Sequence, residues 1–115
     1  MVTLYGIPNC STVKKASSWL AQNNIQYSFY NYKKMGASQE KLEKWCTQFG
    51  WQQILNKNGL TFKKLDTSIK SGIYDQNSAI NYMLGATSSI KRPVLETDNE
   101  TILGFDISAY EKTFL

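Results

Sequence analysis

The order of elements read along the chain predicts an α/β domain, and three observations carry that prediction. A short β-prone run at the start is followed by an amphipathic helix and a second strand, the middle is mainly helical, and the end reads as a strand pair with a closing helix. With 115 residues, 42% of them apolar and 13% aromatic, one domain with one buried core is expected. The expected plan is a three-layer sandwich: a mixed β-sheet with helices on both faces. Residues 1–33 and 89–115 form its core, and about 34–88 a helical insertion.

Val2 to Tyr5 is short and mostly apolar, and Gly6-Ile7-Pro8-Asn9 turns the chain, so a buried strand followed by a loop is expected. From Ser11 to Gln22 the residues Val13, Ala16, Leu20 and Ala21, with Trp19, follow a helical period that Asn23-Asn24 stops. Tyr27 to Tyr32 reads as an aromatic strand, and a strand, helix and strand joined by short connections imply a parallel pair. Ser38 suits the N-cap of a helix reaching Phe49, on which Leu42, Trp45, Cys46 and Phe49 fall on one face. Trp51 to Leu55 reads as a short helical turn, Lys57-Asn58-Gly59 as a turn, and Asp75 to Leu84 as a helix capped by Asp75 and ended by Gly85. Pro93 to Thr97 and Thr101 to Gly104 form a hairpin around Asp98-Asn99-Glu100, and Ser108 to Phe114 is the closing helix. Trp45, Trp51, Tyr82 and Phe114 are assigned to packing.

The net charge of +4 is uneven: residues 1–70 carry ten Lys and three acids, residues 71–115 three bases and six acids. The lysines are dispersed and no aromatic interleaving accompanies them, which argues against a nucleic-acid surface. The absence of histidine excludes Ser-His-Asp and Cys-His catalysis and histidine-ligated metals, and no metal site is expected. The glycines are isolated, so no phosphate loop is present. The opening Met-Val-Thr-Leu-Tyr-Gly has neither a basic n-region nor a long apolar run, so a cytoplasmic chain without a membrane span is expected.

Cys10 follows a strand and a turn and precedes a helical turn, where unpaired backbone N–H groups and the positive end of the helix dipole favour a thiolate. Its neighbours Asn9, Ser11 and Thr12 are polar, and Lys14 and Lys15 follow in the next turn. This strand-to-helix loop is where open α/β sheets place ligands. Cys46 lies on an apolar helix face and is assigned to the core. Position 13 is valine, so the first helix carries no Cys-x-x-Cys pair, and a single reactive thiol needs an external thiol, of which glutathione is the usual cytoplasmic one.

Ile7-Pro8-Asn9-Cys10-Ser11-Thr12-Val13-Lys14-Lys15-Ala16 and Ile90-Lys91-Arg92-Pro93-Val94-Leu95 resemble the arsenate reductase (ArsC) and Spx family, most closely its YffB-type branch. The resemblance extends through Tyr27 to Tyr32, Gly50-Trp51 to Lys57-Asn58-Gly59, Lys64-Leu65-Asp66 and Leu103-Gly104-Phe105. It implies a thioredoxin-like fold with a helical insertion and a glutathione-dependent thiol reductase, with Cys10 as nucleophile, Thr12 and Lys14 in its loop, and Arg92 beside Pro93, which matches the cis-proline of that fold. Of the three arginines that assist arsenate reductases of the family, only Arg92 has a counterpart; Asn56 and Phe105 occupy the other two positions. Arsenate-like oxyanion reduction is therefore the weaker enzymatic alternative. The Spx-type regulators carry a Cys-x-x-Cys switch and bind the RNA polymerase alpha subunit, and Val13 removes that switch here.

The expected site is thus Cys10 as nucleophile with Asn9, Ser11, Thr12, Lys14, Arg92 and Pro93 around the substrate or glutathione. No bound cofactor is expected, and glutathione serves as co-substrate. The expected partners are glutathione and a small-molecule or protein disulfide, acting on a monomer. RNA polymerase alpha is the partner of the non-enzymatic alternative.

Overall fold

The computed structural model describes residues 1–57 and 59–115. The chain divides into two compact units: Met1–Tyr32 with Arg92–Leu115, and Lys33–Lys91. The first unit is built on four strands, β1 (Thr3–Gly6), β2 (Ser28–Asn31), β3 (Val94–Glu96) and β4 (Thr101–Leu103), in the order β2-β1-β3-β4. β1 pairs parallel with β2 and antiparallel with β3, and β3 pairs antiparallel with β4. The crossover between β1 and β2 is helix α1 (Ser11–Gln22), which has the bounds its hydrophobic period predicts. β1 sits one residue later than expected. β2 is shorter than the aromatic run, because Tyr32 leaves the sheet and opens helix α2 (Tyr32–Met35).

Register divides the side chains between two faces. Leu4 on β1 and Leu95 on β3 are partners, and both join one buried cluster with Val13, Ala16 and Leu20 of α1 and Tyr110 of the closing helix, labelled α8 below (Ile107–Phe114). Trp19 and Phe105 meet the Tyr110 ring edge-on, with centroids 5.4 and 5.1 Å away. Gly6 lets the helix close on the strand: a Cβ there would lie 2.7 Å from Val13 Cγ2. On the opposite face Tyr5 lies beside Tyr30 in the parallel register and Val94 in the antiparallel one, and Glu96 follows two residues along.

The second unit carries helices α3 (Gln39–Phe49), α4 (Trp51–Ile54), α5 (Leu60–Lys63), α6 (Thr67–Ser71) and α7 (Gln76–Gly85) and a 3₁₀ turn at Thr87–Ser89. Ser38 caps α3 as expected, its hydroxyl accepting the Lys41 N–H at 3.2 Å. Asp75 and Ser78 form a reciprocal capping box on α7, and Gly85 ends inside that helix rather than after it. Leu42, Trp45, Cys46, Ile54, Ala79, Ile80 and Met83 are buried, and α3 packs on α4 and α7. Trp51 has the Lys57 ammonium 4.9 Å above its ring, and Tyr82 meets Phe62 edge-on. Helices α5 and α6 have no individual counterpart in the sequence pattern, since four or five residues are too few to show a period. The turn expected at Lys57-Asn58-Gly59 includes Asn58, which lies outside the described residues. Ser89 to Lys91 bond back into this unit: Asn56 N–H donates to Ser89 O and Lys91 N–H to Ile54 O, each at 2.7 Å. Among the described residues no helix is long and apolar enough to cross a membrane.

Candidate functional site

The site lies wholly within the first unit, at the end of β1. Ile7 is buried and anchors the loop, Pro8 and Asn9 are exposed, and Cys10 takes an extended conformation (φ −99°, ψ 126°) as the N-cap of α1. Its carbonyl accepts the first helical hydrogen bond from Lys14 N–H at 3.0 Å. The residue is half-buried, its side chain packed against the Leu4 and Leu95 cluster.

The electrostatics of the thiol are a contest. Burial pushes the Cys10 thiol up, but the Val13 and Thr12 backbone N–H groups and then the Arg92 guanidinium, by hydrogen bond and by charge, hold it below the ordinary thiol value. The groups that lower this thiol are N–H dipoles and Arg92, not the lysines that follow it in sequence.

The structure therefore brings together Cys10, the Thr12 backbone and Arg92. Pro93 is buried directly behind, after a cis Arg92-Pro93 bond, and its carbonyl accepts Gly104 N–H at 2.8 Å. Asn9, Ser11 and Lys14 surround the thiol in sequence but are exposed on the loop and the first helical turn. Phe105 packs its ring on Tyr110, so that position serves the core and supplies no cation. Among the described residues no cluster of carboxylate, thiol and imidazole groups suits a metal.

Sequence reasoning missed a buried acid on β3, the strand that follows Arg92 and Pro93. Glu96 is only 7% exposed, and Tyr5 donates its phenol hydrogen to Glu96 Oε1 at 3.1 Å. The Tyr5, Tyr30 and Tyr32 rings cluster with centroids 5.1 to 6.3 Å apart. The Tyr32 hydroxyl is buried without a hydrogen-bond partner. Burial, then the neighbouring phenols and Glu96, raises its pKa, and the charge of Arg92 pulls the other way. The signal in the sequence was a lone acid in the apolar run Pro93-Val94-Leu95-Glu96.

A mixed four-stranded sheet with helices, carrying one cysteine at the first strand-to-helix junction and a cis-proline before β3, defines a thioredoxin-like protein with a single thiol at its site. The ArsC family model matches residues 5–113, and the chain belongs to that family. An uncharacterized protein of Haemophilus influenzae is 37% identical over 114 residues, covering 99% of each chain. The Global transcriptional regulator Spx of Streptococcus mutans is 26% identical over 108 residues, covering 92% of this chain and 77% of the regulator. Among solved structures, the YFFB (PA3664) protein superposes with a TM-score of 0.95 at 43% identity over all of both chains. An arsenate reductase (ArsC) related protein from Brucella melitensis gives a TM-score of 0.75 at 44% identity, covering 98% of this chain and 93% of that one.

Proposed function

We propose that this protein is a cytoplasmic, glutathione-dependent thiol-disulfide reductase working through Cys10 alone. The observation that carries the reading is the Cys10 sulfur, half-buried and favoured as thiolate by the Thr12 and Val13 N–H groups and by Arg92. The thiolate is the nucleophile in disulfide exchange, so an environment that lowers the thiol pKa is what the chemistry needs.

For a mixed disulfide between a substrate thiol and glutathione, the Cys10 thiolate attacks the glutathione sulfur. The S–S bond breaks, the substrate thiolate leaves and takes up a proton, and a Cys10-glutathione disulfide forms. A second glutathione thiolate attacks the glutathione sulfur of that bond, regenerating the Cys10 thiolate and releasing glutathione disulfide. The substrate is reduced and glutathione oxidised. Arg92 and Lys14 hold the anionic groups of the two halves, and Asn9, Ser11 and Thr12 supply polar contacts around them. In this reading the backbone beside Pro93 takes the peptide part of glutathione.

The relatives named Spx support a second reading, a transcriptional regulator, for which the family resemblance implies binding to RNA polymerase. A buried Val13 packed on Gly6 weighs against its redox-switched form, since that position holds no thiol. The test is intact mass after exposure to glutathione disulfide for wild type, Cys10→Ser and Cys46→Ser, followed by reduced glutathione. One adduct, lost only in Cys10→Ser and reversed by glutathione, is expected. No adduct at Cys10 would sink the reductase reading.

A further inference from the structure

A groove of about 520 Å³ runs from the Cys10 loop along the side of α1. Pro8 closes the end nearest the thiol, Lys14, Ser17 and Ser18 form the helical wall, and Tyr27 and Phe29 form the wall beside β2. The groove flanks the nucleophile's loop: Pro8 lies two residues before Cys10, and the lining residues Val13, Lys14 and Ser17 stand three, four and seven positions after it, a spacing that falls on one side of α1.

Phe29 is 39% exposed on β2, the edge strand of the sheet. It shares the register of the buried Leu4, so it lies on the α1 side of the sheet, yet it stays open to solvent. An aromatic ring left facing water beside a reactive loop adds little to folding, whereas it adds apolar contact area to binding. Lys14 is the charged residue of the lining, so the groove favours an occupant that is apolar with a negative group near its thiol end.

Glutathione is small and polar and offers little apolar area to such a wall. We infer that the groove docks the substrate half of the mixed disulfide: a peptide segment of a protein thiol, with apolar residues next to its half-cystine and an acidic residue within reach of Lys14. The inference rests on the reductase reading and deepens it. Arg92 serves the glutathione half, and the groove holds the half that leaves as a thiol.

The test compares two glutathionylated peptides, one with Leu and Phe beside the half-cystine and a Glu beyond them, the other with Ser and Lys at those positions. With wild type the apolar acidic peptide is expected to have the higher kcat/KM, on the order of tenfold. Phe29→Ser is expected to remove most of that ratio, and Lys14→Glu to reverse the preference for Glu over Lys in the peptide. A ratio near one with wild type, or one that survives Phe29→Ser, would overturn the inference. Fluorescence anisotropy of the labelled apolar peptide with its cysteine replaced by alanine, titrated with Cys10→Ser protein, reads docking without chemistry. Binding that Phe29→Ser weakens on the order of tenfold supports the groove even if no glutathione adduct forms on Cys10. Adduct formation without peptide discrimination sinks the groove and leaves the reductase standing. Concentration-dependent dimers that Phe29→Ser dissolves would give the surface to a second copy of this chain and overturn the inference.

Discussion

Cys10 and Cys46 share a side chain and meet opposite physics. Cys10 stands at a strand-to-helix junction, where burial is outweighed by two N–H dipoles and a guanidinium, and its pKa falls. Cys46 stands in the middle of α3, 2% exposed among Leu42 and Trp45, where burial has no opponent and pushes the thiol up to about 11. Depth alone does not decide reactivity; what decides it is whether the backbone around the sulfur has spent its donors. In mid-helix each N–H is bonded to a carbonyl four residues back, whereas the first turn has N–H groups to spare.

The largest expected effect tests that contrast directly. Alkylation of the native protein at pH 8, followed by mass spectrometry of peptides, should label Cys10 and leave Cys46 on the order of a thousandfold slower, the thiolate fraction that a pKa of about 11 leaves at that pH. Comparable labelling of both would erase the distinction.

Arg92 gives the next effect. Arg92→Ala should raise the Cys10 pKa, read from the pH dependence of alkylation, and slow glutathione exchange at neutral pH on the order of tenfold, the usual worth of one charge-assisted hydrogen bond. Arg92→Lys keeps the charge but not the planar donor fork, and should fall between. An unchanged profile would assign the lowered pKa to the helix end alone.

The smallest effect concerns stability, and here the two thiols differ in sign. Cys10 is more acidic folded than unfolded, so its contribution is present above the unfolded pKa of about 8.5 and is lost as pH falls through the folded value. Cys46 is less acidic folded, so the unfolded state releases its proton first and stability declines as pH rises from about 8.5 toward about 11. Urea titrations of wild type and Cys46→Ala across pH 7 to 10.5 isolate this, because the buried tyrosines are common to both proteins. The variant should lose about 1 kcal/mol at pH 7 to the vacated volume, and the gap should close and then reverse as pH rises toward 10.5, because only wild type loses stability through Cys46. A gap that stays constant would show that Cys46 does not ionise differently on unfolding.

The contrast also explains what was legible in the sequence. Helix α1, the cap at Ser38, the hairpin and the Cys10 junction were readable because each is set by local rules: a hydrophobic period, a capping hydroxyl, a turn, a strand end before a helix. The departure of Tyr32 from β2 and the short helices α5 and α6 were not, since tertiary contacts decide them within four or five residues. At the site, Arg92 was found by resemblance, whereas Glu96 and the tyrosine cluster come together only through the register of β1, β2 and β3. The lysines show the limit of nearness in sequence: Lys14 follows the thiol closely, yet the groups that lower the thiol pKa are the Val13 and Thr12 N–H groups and Arg92, and Lys14 lines the groove.

Val13, closed over Gly6, stands at the position where a second sulfur would make a Cys-x-x-Cys pair with Cys10. A chain with that partner stores its own way back to the reduced form. This one holds no such reserve in its first helical turn, so under the proposed chemistry oxidised Cys10 waits for a molecule to arrive by diffusion, and how long it waits reports the abundance of free thiol around it.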